Sequence, residues 1–395
     1  MDINLTKAIE SKINRKNYVK WKFSDLAENI VEKVVPKNSD LQHYIGLEHL
    51  ESESLKIRRF GDSSMLKGDK IKIYKGDLIF GKRNAYLKRV AIADFDAIAS
   101  AHSMVLRPKS ENVLPDLLAF FLLSEGFWQK AIEISVGSLS PTINWKALAN
   151  QEFFLPPKGE QYKLTLLLNS INTLIEKNIK LLSKMQSLYL SLIENELISK
   201  TSKKVSFSTL GSLVRGVGYK PDELIDIYDE NSCLLLRSNN ISDNKINYKD
   251  IKIINANKVK DVQFLQDHDY VICMSNGSED LVGKSARYLQ NSKKVTIGSF
   301  CSCFRPKDEK SSDILRHLFA SKSYRFEIKR ALSGTNIKNL KPSNIEDLSI
   351  KINFTNENFN YLIKRLNDIA DNITEIENLI KTSRQLLKSI VNQLF

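Results

Sequence analysis

Several short segments of this chain combine Arg or Lys with Asn, Ser or Thr, the side chains with which proteins contact DNA. They are Gly81–Arg89 and Gly137–Asn144 in the first half, and Arg215–Lys220, Leu234–Ile241, Met274–Lys284 and Ser333–Lys341 in the second. Lys and Arg neutralise phosphates, whereas Arg, Asn and Ser hydrogen-bond to base edges in the major groove. A solvated turn is the ordinary interpretation of any one such segment. Their repetition in a chain of formal net charge +13 favours a DNA-binding surface.

Two kinds of DNA contact are expected from these segments. Residues expected to bind phosphates are Lys82, Arg83, Lys88, Arg89, Lys284, Arg287 and Lys338, and candidate base readers are Arg83, Asn144, Arg237, Asn276 and Asn336. The other candidates for DNA contact are Asn84, Ser138, Ser140, Thr142, Arg215, Tyr219, Lys220, Asn239, Asn240, Ser278 and Thr335. Loss of a phosphate contact should weaken binding to all sequences alike, whereas loss of a base reader should relax one position.

The sequence contains no recognisable motif for catalysis or cofactor binding. Gly216-Val217-Gly218 lacks the third glycine of a dinucleotide-binding fingerprint, and the phosphate-binding pattern GxxxxGK[ST] does not occur. The five histidines are scattered, and the four cysteines form no CxxC pair, which argues against a zinc site. We therefore expect a non-catalytic protein with no metal or cofactor of its own.

Length and composition restrict the class of protein further. A chain of 395 residues predicts two or three domains. No apolar run reaches the roughly 18 residues of a membrane span, and the first twenty residues lack the apolar core of a secretory signal. Cys301 and Cys303 are expected to be buried free thiols. These features predict a cytoplasmic protein.

The two halves of the chain resemble each other, which indicates an internal duplication. Gly76–Phe80 matches His268–Ile272 at a separation of 192 residues, and Arg107-Pro108 matches Arg305-Pro306 at 198. Ile143 pairs with Ile337, and Phe154 pairs with Leu348, both at 194. The unequal separations predict loops of different length between the matched segments.

Each copy is predicted to consist of a globule followed by a long helix. Short apolar runs broken by Gly, Asn and Asp predict strands at Ile71–Phe80, Ser232–Arg237, Asp269–Met274 and Lys294–Phe304, and one helical stretch follows in each copy, at Leu114–Ile134 and Ser312–Leu332. The fold class predicted is mixed α/β, of the α+β type. The predicted segments are a first domain at 1–157 with a polar leader, a helix at 158–203, a second domain at 204–351 and a helix at 352–395.

Heptad patterns without Pro or Gly predict that the two helices form a coiled coil. The first helix carries the series Leu164, Ile171, Asn178, Met185, Leu192 and the series Leu167, Leu174, Leu181, Leu188. The second carries Phe359, Leu366, Ile373, Ile380, Leu387, Leu394 and Leu362, Ile369, Ile376, Ser383, Ile390. We expect an antiparallel pair within one chain that buries both series of each helix, with Asn178 a candidate for fixing the register.

Four motifs in order, RGVGYKPDEL, LLLRSNNI, MSNGSEDLVGKSA and SGTNIKNLK, resemble the target recognition domain of type I restriction-modification specificity (S) subunits. The resemblance is strongest in the second globule and parallel in the first, and the order of globules and long helices extends it over essentially the whole chain. Two departures are the polar leader Met1–Lys20 and the segment Lys82–Asn84, which replaces the Asn-Gly-Ser loop of the second globule.

The resemblance implies that each globule reads one half of a split, asymmetric DNA target, and that an antiparallel coiled coil sets the spacing between the halves. It also implies double-stranded DNA, two modification (methyltransferase) subunits and a restriction (translocase and nuclease) subunit as partners. S-adenosylmethionine, Mg²⁺ and ATP would then be bound by those partners. Membrane association is not expected.

Three other interpretations remain open at the level of sequence. The first is the specificity subunit of a related system in which methyltransferase and nuclease are fused in one partner. The second is a stand-alone two-domain DNA-binding regulator. The third is a coiled-coil scaffold with incidental basic charge, which the repeated polar segments disfavour. Co-purification with a methyltransferase subunit would discriminate among them.

Overall fold

The computed structural model describes residues 15–64, 66–198, 204–333, 339–354 and 358–395. Most of the leader and the candidate residues Thr335, Asn336 and Lys338 lie outside these ranges, as does Ile337. The chain divides into two compact units. The first comprises residues up to Lys180 together with Ile376–Phe395, and the second is Leu181–Glu375. Each unit therefore contains one globule and a part of each long helix, whereas the sequence segments separate globules from helices.

The first globule is built mainly from short strands, and most of its short helices follow these strands in chain order. Its strands are β1 Val19–Lys22, β2 Ala27–Ile30, β3 Lys33–Val34, β4 His43–Ile45, β5 Gly61–Asp62, β6 Lys70–Ile73, β7 Leu78–Gly81, β8 Val90–Ile92, β9 Ala97–Ala99, β10 Ser103–Pro108 and β11 Glu152–Leu155. Its helices are α1 Phe23–Leu26, α2 Pro115–Phe121, α3 Glu125–Glu133 and α4 Trp145–Ala149. The central helix, α5, is Lys158–Leu192, and one π-helical turn, Ile193–Leu197, follows it.

The second globule repeats this sequence of elements. Its strands are β12 Lys204–Ser206, β13 Gly211–Arg215, β14 Leu224–Ile225, β15 Ser232–Leu236, β16 Ile241–Ser242, β17 Lys245–Ile246, β18 Lys252–Asn255, β19 Tyr270–Cys273, β20 Ser285–Arg287, β21 Val295–Ile297, β22 Cys301–Pro306 and β23 Ser349–Lys351. Its helices are α6 Glu309–Ala320, α7 Lys322–Leu332 and α8 Pro342–Glu346, and the C-terminal helix, α9, is Phe359–Leu394.

Sheet topology confirms the duplication. The antiparallel sheet β2-β10-β7-β8 of the first globule corresponds to β13-β22-β19-β20 of the second, and the pair β1-β11 corresponds to β12-β23. Each globule also contains one parallel pair, β4 with β9 and β15 with β21. Mixed sheets and short helices in both globules confirm the mixed α/β fold class.

Backbone hydrogen bonds correct the sequence alignment of the two copies near their ends. The N–H of Phe23 donates to the carbonyl of Gln151 at 2.8 Å, and the N–H of Phe207 donates to that of Leu348 at 2.9 Å. Gln151 and Leu348 are therefore equivalent, 197 residues apart. The pairing of Leu348 with Phe154 is wrong, because Leu348 is buried whereas Phe154 is exposed. Matching by apolar residue type missed a three-residue difference in loop length.

The helical stretch predicted in each copy is interrupted by a serine. In the first globule one helix ends at Phe121, and the Oγ of Ser124 accepts the N–H of Phe127 at the start of the next. In the second globule Ser321 does the same for Tyr324. Because a serine at an N-cap satisfies a free helical N–H, each stretch forms two helices rather than one.

A buried ion pair is repeated in the two globules. Asp77, at the start of β7, accepts hydrogen bonds from Arg107 Nε at 2.8 Å and Nη2 at 2.9 Å. Asp269, at the start of β19, accepts from Arg305 Nε at 3.0 Å and Nη2 at 2.7 Å. Both carboxylates are buried, and each pair joins neighbouring strands of its sheet. The hydrogen bonds with Asp269 raise the pKa of Arg305.

The central helix buries one apolar series rather than two. Its buried positions include Gln161, Leu168 and Ile175, each seven residues, or about two helical turns, from the next. The predicted second series is 39–47% exposed at Leu167, Leu174, Leu181 and Leu188. Each of these leucines lies about 100° around the helix from its buried neighbour, so one seam cannot cover both. The expectation that both series are buried is wrong for this helix.

The C-terminal helix is buried over a wider arc. Phe359, Leu366, Ile380, Leu387 and Leu394 are buried, and so are Leu362, Ser383 and Ile390 of the second series. Its last part belongs to the unit that contains the start of the central helix, and its first part belongs to the unit that contains the end of that helix. This is the order expected for an antiparallel pair. Asn178 is buried, and its Nδ2 makes no hydrogen bond.

Candidate nucleic-acid interface

The polar motifs of the second globule meet at one edge of its sheets. Strands β13, β15, β19 and β21 all end there, and β22 begins there, because the strand pairing brings Arg215 opposite Ser302 and Cys273 opposite Cys301. We call this the second loop edge, comprising residues 215–220, 237–240, 274–278 and 298–300. Three of the predicted polar segments and the turn 298–300 therefore lie at one edge, whereas most of the fourth predicted segment, Ser333–Lys341, lies outside the described residues.

Main-chain hydrogen bonds connect the segments of the second loop edge. The N–H of Val217 donates to Ile297 O at 2.8 Å, and the N–H of Gly298 donates to Leu236 O at 2.8 Å. The N–H of Met274 donates to Phe300 O at 2.9 Å. These bonds fix the backbones of the loops relative to one another.

Side chains at the second loop edge offer hydrogen-bonding groups on an open surface. Asn276 Nδ2 lies 3.4 Å from Ser238 Oγ, and its Oδ1 accepts the N–H of Ser278 at 3.1 Å. Arg215, Lys220, Asn239 and Ser278 are exposed. The ring of Tyr219 covers Gly298, where a Cβ would lie 3.1 Å from the ring.

Asn240, one of the predicted contact residues, supports the edge from inside. Its side chain is buried, its Oδ1 accepts the N–H of Arg237 at 2.9 Å, and its Nδ2 donates to Asn247 O and Lys249 O at 2.8 and 2.9 Å. The prediction that Asn240 contacts DNA is therefore corrected: its amide is fully used in shaping the loop. Arg237 is half-buried, and its Nη2 donates to Asp250 O.

The two predicted phosphate ligands of β20 lie at different ends of the sheet. Lys284 O accepts the N–H of Cys273, so Lys284 lies beside the second loop edge. Arg287 is opposite Tyr270, at the other end of β19. Its Nη2 lies 2.9 Å from His268 Nδ1, and the side chain is largely buried. The structure therefore places Arg287 away from the second loop edge, and its contact with DNA stays a prediction.

The first globule has an equivalent edge, the first loop edge, comprising residues 82–84, 100–102 and 138–144. The N–H of Asn84 donates to Pro141 O at 2.9 Å, and the N–H of Ser100 donates to Ile45 O at 2.9 Å. Arg83 is exposed, with Nη1 3.4 Å from His102 Nε2 and Nη2 3.4 Å from Ser140 Oγ.

One hydrogen bond sets the correspondence between the two edges. The N–H of Ile143 donates to Lys82 O at 2.8 Å, and the N–H of Leu340 donates to Met274 O at 2.8 Å. Ile143 is therefore equivalent to Leu340 and not to Ile337. Lys82, Arg83 and Asn84 therefore correspond to Met274, Ser275 and Asn276. The first globule keeps an asparagine at the position of Asn276 and has Ala85-Tyr86 in place of Gly277-Ser278. The sequence comparison had instead aligned Lys82–Asn84 with the whole Asn-Gly-Ser loop.

The remaining candidates of the first globule differ in exposure and in the contacts that their side chains already make. Lys82 is half-buried, and burial lowers the pKa of its ammonium group. Lys88 pairs with Glu125, and Arg89 Nη1 donates to Leu47 O at 3.0 Å. Asn144 caps α4 by accepting the N–H of Lys146. Ser138 is exposed, and Ser140 and Thr142 are half-buried.

Two aromatic residues of the edges were not among the sequence candidates. His102 and Phe300 occupy equivalent loops, between β9 and β10 and between β21 and β22, and both are exposed. The Arg-Pro match at a separation of 198 residues contains the signal that could have found them, because it aligns His102 with Phe300.

The described residues contain neither a metal-binding cluster nor a membrane-spanning helix. Across the described ranges, no group of three or more His, Cys, Asp or Glu side chains is arranged to hold a metal ion. None of the helices in the part of the chain that the structure describes has the length and apolar character needed to cross a bilayer.

Comparison with known proteins identifies the class of domain. Residues 16–165 match the model of the Type I restriction modification DNA specificity domain. The specificity subunit of the type I restriction enzyme StySPI from Salmonella potsdam is 30% identical over 184 residues, covering 45% of this chain and 40% of that protein. The corresponding subunit of EcoKI from Escherichia coli (strain K12) is 31% identical over 184 residues, covering 45% and 39%. This chain thus spans about two fifths of the length of these relatives.

A solved structure supports the fold. The S subunit of a type I restriction-modification system from M. genitalium superposes with a TM-score of 0.59 over 98% of both chains, at 12% identity. Residues 16–165, which include the first globule, are thus similar to the type I restriction-modification DNA specificity domain. The chain is similar to type I specificity subunits over 45% of its length, in line with the sequence resemblance, although the motifs place that resemblance mainly in the second globule and the family model matches the first.

Proposed function

We propose that this chain is the sequence-specific DNA-binding subunit of a type I restriction-modification complex. The observation that carries the proposal is the pair of equivalent loop edges, each built on the same hydrogen-bonded frame and each lined with different exposed polar side chains. Such a pair suits a target of two unlike half-sites, one read by each globule. The two long helices would set the number of base pairs between the half-sites.

The chain would have no catalytic role of its own in that complex. Two modification subunits would bind S-adenosylmethionine and methylate the DNA, and a restriction subunit would use ATP and Mg²⁺ to translocate and cleave it. The specificity subunit would bind the double-stranded target and hold its partners there, in the cytoplasm. Methyl transfer by the purified single chain would contradict this division of roles.

The first test is complex formation and target mapping. The chain is co-expressed with the genes that flank its own, and methylated sites are then read from the host DNA. We expect a methyltransferase to co-purify and one split target to emerge. A stable chain that binds one sequence without any methyltransferase would instead identify a regulator, and absence of sequence-specific binding would reject the proposal.

The second test locates the DNA surface. Lys82 and Arg83 are changed to alanine in one variant, and Lys75 and Lys109, at the opposite end of β7 and β10, in a control variant with the same charge. Each lost phosphate contact should flatten the plot of log K against log salt concentration by about 0.9. We expect the first variant to lose slope and affinity while the control keeps both. Equal effects of the two variants would show that the first loop edge is not the DNA surface.

A further inference from the structure

Phe300 is an apolar side chain placed among polar ones at the second loop edge. Its ring is 65% exposed, although its neighbours in the turn are Gly298 and Ser299 and the adjacent loop is Ser275–Ser278. An exposed aromatic ring carries apolar surface that remains in water until a partner covers it. Ser275, Asn276 and Ser278 of this loop supply hydrogen-bonding groups, and none of these three side chains is apolar.

The backbone holds this ring in a defined position. Phe300 O accepts the N–H groups of Met274 and Ser275 at 2.9 and 3.3 Å, and the N–H of Cys301 donates to Gly298 O at 2.8 Å. The turn is therefore closed on itself and tied to the loop that carries Asn276. A side chain presented from such a turn needs little ordering when it binds.

The equivalent position of the first globule supports a role in recognition. The N–H of Ser103 donates to Ser100 O at 2.9 Å, which repeats the bond between Cys301 and Gly298, and the residue presented is His102. The frame is thus the same in both copies, whereas the exposed ring is polar in one and apolar in the other. This is the difference expected of a position that meets a different base in each half-site.

We propose that Phe300 reads the C5-methyl group of a thymine in the half-site bound by the second globule. The inference rests on the proposed function. A phenyl ring offers no hydrogen bond, and the thymine methyl is the apolar group that base edges expose in the major groove. Asn276 and Ser238, one loop away, carry the amide and hydroxyl groups that hydrogen-bond to neighbouring base edges in the same groove.

The test uses the assembled methyltransferase complex and its mapped target. Each thymine of the second half-site is replaced in turn by deoxyuridine, which removes only the methyl group, and binding is measured for the unmodified protein and for Phe300→Ala. The unmodified complex should lose about fourfold in affinity at one position, which corresponds to one buried methylene group. Phe300→Ala should bind the natural site about tenfold more weakly and should no longer distinguish thymine from uracil at that position.

Two further variants keep the test decisive. Leu289→Ala removes an apolar side chain that is 63% exposed and follows β20 at the other end of the sheet. The complex with this variant should bind the target normally. Phe300→Leu should retain sensitivity to the methyl group. The proposal is overturned if Phe300→Ala binds like the unmodified complex, or if the second half-site contains no thymine. It is also overturned if Phe300→Ala weakens binding without changing the sensitivity to deoxyuridine, which is the result expected if the ring intercalates between bases. Loss of specific binding by the unmodified complex would reject the proposed function instead.

Discussion

Removal of the buried carboxylate of Asp269 should destabilise the second globule and leave the first unaffected. Asp269→Asn keeps the size of the side chain and its bond to the N–H of Gln266, which is 2.8 Å long. It removes the negative charge that faces the guanidinium of Arg305. Arg305 also donates to Phe264 O at 2.8 Å, so it cannot turn away to solvent without losing that bond too.

The magnitude follows from burial of the pair. Removing one partner of a buried ion pair costs about 3–5 kcal/mol. Asp269 is 1% exposed and the Arg305 side chain 18%, so we expect about 3 kcal/mol for Asp269→Asn. The equivalent Asp77→Asn should cost less, about 1–2 kcal/mol, because the side chain of Arg107 is 39% exposed and solvent screens its charge.

The three tryptophans provide the assay, because Trp21, Trp128 and Trp145 all belong to the first unit. Urea unfolding is followed by tryptophan fluorescence and by far-ultraviolet circular dichroism. Asp269→Asn should shift the circular dichroism transition and leave the fluorescence transition in place, whereas Asp77→Asn should shift the fluorescence transition.

A matched control separates charge from packing. The double variant Asp269→Leu with Arg305→Met should recover part of the loss, because an apolar pair leaves no charge buried alone. A loss below about 1 kcal/mol for Asp269→Asn, or a double variant less stable than the single one, would refute the reasoning.

Three further predictions concern the rest of the chain. Burial lowers the pKa of His317 to about 3, so the unfolded chain takes up a proton below pH 6.5 that the folded one does not. Unfolding free energy should then fall by about 1.4 kcal/mol per pH unit below 6.5. Plots of unfolding free energy against pH for His317→Gln and for the unmodified protein should therefore diverge toward pH 4.5. Leu168→Ala should cost about 2–5 kcal/mol in urea unfolding and Leu167→Ala less than about 1, and equal costs would contradict a single buried seam. Insertion of four residues after Ser183, within the central helix, adds about 6 Å of helix, so mapped methylation sites should gain one or two base pairs of spacer.

The sequence predicts the duplication because a repeated unit needs the same buried positions, but it cannot give the alignment through variable loops. The match at Asp77 and Asp269 holds, since both carboxylates make the same ion pair. The match of Phe154 with Leu348 fails, since both residues are apolar and only the strand pairing shows which one is buried. Residue type alone does not distinguish an exposed apolar side chain from a buried one.

The candidate site shows the same limit in polar residues. Asn240 and Asn276 look alike in sequence, yet one amide is consumed inside a loop and the other lies at the edge. His102 and Phe300 carry no motif of their own, and strand pairing across long sequence separations brings them to the edges. Heptad spacing likewise identifies the central helix correctly, but it does not show that Leu167 faces solvent.

At each loop edge, main-chain hydrogen bonds build a frame that is the same in both globules. The side chains presented on that frame differ between the globules. Main-chain bonds from Ile143 to Lys82 and from Leu340 to Met274 are the same in both globules, and they require no particular side chain. Because the frame does not depend on the side chains it presents, these can change without loss of fold. A change from the polar ring of His102 to the apolar ring at the equivalent turn therefore alters what the edge can bind and not how it is built. A chain with two such frames can combine two unlike half-sites, which is what a split and asymmetric target requires.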